Sequence, residues 1–220
     1  MTDFFVLNNP TAGANTDGGA SRAAVNKQGN MVIMDFFMHM ALMGKAYQVR
    51  AGTITTPLVG DVLITDTAAE FSVDATAGYM IIPVYQNISI RLGAGTLHEY
   101  ATKSVNVVSS AGTAFVPLPL RNIGTASATA VAAATTARVS AAGGVTVTAE
   151  LATTTRRHWS HSNPVAVGAG NENTTLEWNP RMPPVLSGPV CLYTQIAATT
   201  TGPSYYASLD YIENISSALV

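Results

Sequence analysis

His158 and His161 stand three apart in the run Arg156-Arg157-His158-Trp159-Ser160-His161, with Glu172 and Glu177 further along. Imidazoles and carboxylates bind zinc, but a site needs at least three that converge. A His-x-x-His pair in a polar stretch falls short, so no metal is expected. The single cysteine, Cys191, lies in an apolar run, where a thiol is buried and inert rather than nucleophilic. Asp61 and Asp66 flank one short apolar stretch and Asp74 stands in another. Acid–base work by paired carboxylates needs a convergence that this spacing does not supply. There is no Gly-x-Ser-x-Gly elbow and no phosphate loop, and Gly93-Ala94-Gly95 lacks the third glycine and following helix of a dinucleotide fingerprint. Neither an enzyme nor a cofactor site is expected. Asn87, Asn173 and Asn214 each open an Asn-x-Ser/Thr triplet. With no secretory leader read at the start of the chain, these are taken as chance.

What the same residues offer is contact. Arg and Trp are enriched among interface anchors. Arg156, Arg157, Trp159 and Trp178 are therefore candidates for touching another subunit. A sugar-binding face built from Trp159, Trp178, Tyr193, Tyr205, Tyr206 and Tyr211 is the rival, but most of these fall at strand positions that packing explains.

Charge points the same way. Only 11% of the 220 residues are charged, against about 25% in an ordinary soluble domain. A compact monomer of 22.9 kDa exposes roughly 9,600 Å², or roughly 400 Å² per charge. Thr, Ser, Ala, Asn and Gly fill the gap. Such a surface loses little when a neighbour covers it, because few ions must be desolvated. Net charge is −2 and the eleven Lys and Arg are scattered. Residues 1–30 hold only Arg22 and Lys27, too little to neutralise packaged nucleic acid, so direct genome binding is not expected.

The elements that must position these groups divide the chain at residue 44. Phe4 to Leu7 is a short apolar patch, and Phe4 and Phe5 are candidate hooks onto a neighbour. Residues 8–30 are rich in Gly, Asn, Ala and Thr and read as a flexible or extended arm. Residues 31–44 hold five of the eight methionines and are too short to span a bilayer. They read as a buried short helix or a buried first strand, with contact to another subunit or to lipid as the alternative. Met34, Phe37 and Met38 are the contact candidates there.

From Lys45 the pattern is β. Strands are expected at 46–50 continuing to Thr56, at 61–65, 71–74 and 79–92, and at 99–108, with extended chain at 114–120. Pro83 is expected at a bulge or a non-bonding edge position. Val145 to Leu151 alternates cleanly, while Ala126 to Ala137 reads as an exposed β segment or loop. Residues 156–184 read as a long surface loop. Two final strands cover 190–196 and 205–213. The count is about eight strands, which close naturally as two four-stranded sheets face to face. The fold class is thus all-β: an eight-stranded jelly-roll β-sandwich over 45–220 with an extended N-terminal arm.

Three stretches carry a family resemblance. Tyr79 to Leu92 with Gly95-Thr96-Leu97-His98-Glu99 resembles the central strands of small single-jelly-roll virus capsid (coat) proteins. Asn179-Pro180-Arg181-Met182-Pro183-Pro184-Val185-Leu186-Ser187-Gly188-Pro189 resembles the Pro-rich lead into a late strand there, and Gly202 to Glu213 their closing strand. The resemblance covers roughly residues 45–213 and is one of layout. It implies an icosahedral virion shell of many copies, assembled in the host cytoplasm, with contacts through loops and arm. It leaves room for a second capsid or spike protein and for an internal viral membrane. The rivals are a phage decoration, spike or fibre domain, and a carbohydrate-binding adhesive module.

Overall fold

In this computed structural model, residues 36–92, 97–121, 135–163 and 174–215 are described. One helix, α1 (Phe36–Leu42), leads nine strands of five residues or more. They are β1 (Ala46–Ala51), β2 (Phe71–Ala75), β3 (Tyr79–Leu92), β4 (His98–Val105), β5 (Thr135–Val139), β6 (Arg156–Asn163), β7 (Thr174–Trp178), β8 (Val190–Ala198) and β9 (Ser204–Ile215). The chain is all-β and sandwich-like. One sheet runs β7-β3-β9-β1 and ends on Leu118–Pro119; the other runs β6-β4-β8-β2-β5 and ends on Thr113–Phe115. Every pairing between these strands is antiparallel.

Period-2 burial builds the core. Along β9, Tyr205, Ala207, Leu209 and Tyr211 turn inward while the residues between them stay partly exposed. They meet Tyr47 and Val49 of β1 and Ile81, Ile88 and Ile90 of β3, and pack against Phe71, Val73, Leu192, Ile196 and Tyr100 from the other sheet. β2 and β8 are buried along their whole length. Their outer faces lie beneath a small sheet of Ala68–Ala69, Val145–Thr146 and Ser110–Ala111, which closes a second cluster on Val105, Cys191 and Tyr193.

On the far side, α1 covers part of the first sheet. Met40 packs on Ala46, Ile82 and Ile212. Pro83 lies beside a register shift, where Asp210 opposes Tyr85 and Tyr211 opposes Pro83. The missing N–H thus falls at a bulge, as expected.

Several expectations fail, each for a local reason. The expected loop at 156–184 holds two strands, β6 pairing with β4 from Arg156 to Asn163 and β7 pairing with β3, while 164–173 lie outside the described residues. Both are sheet-edge strands with one side in water, so their sequences are polar and the hydrophobic alternation is faint. Of the Ala-rich segment, residues 126–134 lie outside the described residues, and the rest is not wholly exposed. Its end, Thr135 to Ala137, enters β5, where Thr135 and Ala137 are buried. Only Val145–Thr146 of the alternating 145–151 run forms a ladder, because its partners are two-residue strands. Val147 still reaches the second cluster. Residues 61–65 make no strand; Asp61 alone bridges Ala197, and its own carboxylate caps the N–H of Val62 at 2.7 Å. β1 stops at Ala51, where Gly52 takes a positive φ of 70° and turns the chain, so Thr53–Thr56 does not extend it. The Met-rich stretch takes the helical one of its two expected forms from Phe36 to Leu42, but within that helix only Met40 is buried, and residues 31–35 lie outside the described residues.

Candidate functional site

Of the contact candidates, Phe4, Phe5 and Met34 lie outside the described residues. Phe37 and Met38 lie on the outward side of α1, Met38 at 60% exposure. Arg156 and Arg157 are exposed on β6. Trp159, on the same strand, is half-buried and packs on the core. Trp178 ends β7 and is only 8% exposed. Its ring stacks on His158 at a centroid distance of 6.1 Å. The pair thus joins the edge strands of the two sheets and leaves Trp178 little surface for a partner.

The two histidines go separate ways. His158 is the bulged residue between Arg157 and Trp159, where it shares a 2.8 Å hydrogen bond with the Ser104 hydroxyl. Burial, with Arg156 nearby, holds its pKa below the ordinary value. His161 is exposed beside the Tyr100 ring. Among the described residues, no three His, Cys, Asp or Glu side chains form a group that could hold a metal ion. Cys191 is fully buried, and burial, reinforced by Asp74, pushes its thiol pKa well up.

Spacing gave no hint of the polar groups that do converge, because they come from distant strands. Asp74 accepts from the Ser109 N–H at 2.8 Å and its hydroxyl at 2.6 Å, with the Arg138 guanidinium 3.5 Å away. Lys103 donates to Glu150, which also faces Arg157. The Lys103 hydrogen bond holds the Glu150 pKa down. Gln86 bonds Thr102 and Thr194 at 2.7 and 2.8 Å across the sandwich. All of these tie elements together. Apart from them, a groove of about 590 Å³ is lined by Asn106, Arg156 and residues 184–190.

Glu70 is the most perturbed carboxyl. It is 2% exposed and accepts from the N–H of Asp61 at 3.1 Å and of Ile196 at 2.7 Å. Burial outweighs both bonds and pushes its pKa up to about 8. The folded chain therefore holds a proton that the unfolded chain releases above its ordinary 4.5. Stability from this group is complete below pH 4.5 and falls as pH rises toward 8, on the order of a few kcal/mol in all. Urea unfolding between pH 5 and 8.5 should show that decline, and Glu70→Gln should flatten it. An unchanged slope in the variant would assign the decline to another group.

The outer surface is apolar in one particular place. Ile82 opposes Ile212, Ile212 opposes Ala46, and the Leu120 N–H donates to the Ala46 carbonyl. An apolar row thus crosses four strands. α1 lies over it, and Phe36, Phe37, Met38, Leu42, Met43, Leu118 and Leu120 stay exposed around it. The Arg121 guanidinium fastens the edge by donating to the Leu42 carbonyl at 2.9 Å. Sequence reading found Phe37 and Met38 but missed Leu118 and Leu120, which join the patch only through their pairing with β1. No family model, curated protein or solved structure gives a significant match to this chain.

Proposed function

We propose that the chain is a structural subunit of a virus shell, a single jelly roll that assembles with copies of itself. Strand order is the observation that carries this reading. With β5 set aside as an addition outside β2, each sheet holds four strands, β7-β3-β9-β1 and β6-β4-β8-β2. The chain changes sheet at every connection between these eight strands except β4 to β6. Interleaved Greek keys give that order, and virus shell proteins are a principal class built on it.

The surface supports the step from fold to role, which architecture alone does not license. Charges are scarce, and large apolar side chains are exposed away from the core, among them Met38, Leu63, Val116, Leu118 and Met182. The mechanism is mechanical. The doubly covered sandwich is a rigid tile, while loops, arm and α1 set the contacts between tiles. Holding the genome falls to another component, since positive charge is sparse and scattered.

Sedimentation of the full chain at rising concentration tests this. A large species should appear above a threshold concentration. It should persist from about 0.1 M to 1 M salt, over which the screening length shrinks from about 10 to 3 Å, because its contacts are mostly uncharged. A chain that stays monomeric throughout would overturn the proposal. A complex that stops at three copies would point to a decoration or spike domain.

A further inference from the structure

We infer that the apolar face built by α1, Leu118 and Leu120 is the seat for the Phe4–Leu7 segment of a neighbouring copy. The inference rests on the assembly reading above and names the partner of one of its contacts. Four observations favour this occupant.

The first is size. Seven partly exposed apolar side chains make the face, whereas a standard interface engages about 20–30 residues a side. It suits a short segment better than a whole second subunit. The second is chemistry. Phe4-Phe5-Val6-Leu7 is an uninterrupted apolar run of matching length. The third is charge. No Asp or Glu occurs from Phe36 to Gly60, and the rim carries Lys45 and Arg121. On this side of the sheet Asp210 is engaged by the Gln48 amide at 2.8 Å, and Glu177, on the far edge strand, by the Tyr85 hydroxyl at 2.9 Å. The candidate segment brings its own acid, Asp3, next to the apolar run. The fourth is reach. Residues 8–35, 28 in number, separate Leu7 from α1. A chain of 28 residues can reach at most about 90–100 Å, well beyond the ~17 Å radius of gyration of a domain this long. A neighbour's face is within range.

The test uses full-length chains carrying one new cysteine each, Phe5→Cys in one population and Leu118→Cys in the other; Cys191 is buried and does not compete. The two populations are mixed, assembled and treated with a short bismaleimide. An adduct joining Phe5→Cys to Leu118→Cys is by construction intermolecular and is the expected result. An adduct found only when both cysteines sit on one chain would overturn the inference, since the segment would then cover its own subunit. Leu118→Cys joined only to itself would overturn it in favour of two copies packed face to face. An adduct lost when vesicles of anionic phospholipid are added, with the particles binding those vesicles, would make lipid the occupant. Assembly without the mixed adduct sinks this inference alone, while no assembly at all sinks the reading beneath it.

A second measurement guards against misfolded variants. Phe5→Ser and Leu118→Ser should each raise the concentration needed for assembly about tenfold. The double variant should be little worse than either, because both changes remove the same contact. Fully additive losses would contradict a shared contact.

Discussion

Gly202→Ala should melt well below the parent protein. Residue 202 lies in the turn between β8 and β9, pressed against the segment at residues 60–61. Gly60 donates to the Pro203 carbonyl at 2.8 Å, Asp61 donates to Ile196 at 2.9 Å, and Ala198 donates back to Asp61 at 3.0 Å. These bonds hold the two backbones so close that a Cβ on residue 202 would stand 1.8 Å from the Gly60 carbonyl oxygen. Backbone sits on both sides, so no side chain can swing away. Relief must come from breaking that hydrogen-bonded lock, which also carries the N–H groups that Glu70 accepts from. A cost of about 3 kcal/mol or more follows for such overpacking. In a domain of this length that lowers Tm by about 6–12 °C. Gly78→Ala is the contrast. Its φ is +90°, but nothing lies within 4 Å of the added carbon. Only backbone strain remains, about 1 kcal/mol. Thermal melts of the two variants side by side check the ranking, and equal shifts would contradict it.

Asp74→Ala should cost nearly as much, by a different route. The carboxylate is 4% exposed and serves the Ser109 N–H, the Ser109 hydroxyl and Arg138. Removing it strands the buried Ser109 N–H, leaves the Ser109 hydroxyl only its 2.8 Å contact with the Ser72 hydroxyl, and leaves Arg138 without its counter-charge. Leaving a buried donor unpaired and a partly exposed guanidinium without its carboxylate costs about 2–3 kcal/mol. Asp74→Asn, which keeps one acceptor, should recover part of the loss. Urea unfolding of the three proteins measures the series, and a neutral Asp74→Ala would show that water replaces the carboxylate.

The strands carrying the core were legible in the sequence because one face of each is apolar. Ile88, Ile90, Tyr205, Leu209 and Tyr211 alternate with polar residues, and the period survives in the fold. Pro83 was legible because its missing N–H admits few positions in a strand. β6 and β7 were not, since edge strands with one wet side show little of that signal. The exposed apolar patch was half legible. Phe37 and Met38 announce themselves in a Met-rich run, but Leu118 and Leu120 sit some eighty residues away and join it only through the register with β1. Glu70 and Asp74 were invisible as a pair of buried anchors, because their partners at Ser109 and Ile196 come from distant parts of the chain.

The central claim is that this chain is a tile. Electron microscopy with image averaging on the purified full-length protein, concentrated above its assembly threshold, tests that most directly. The account predicts closed particles of uniform diameter with icosahedral symmetry, in which the sandwich repeats as a tile. Single 23-kDa molecules, or irregular aggregate without symmetry, would contradict it.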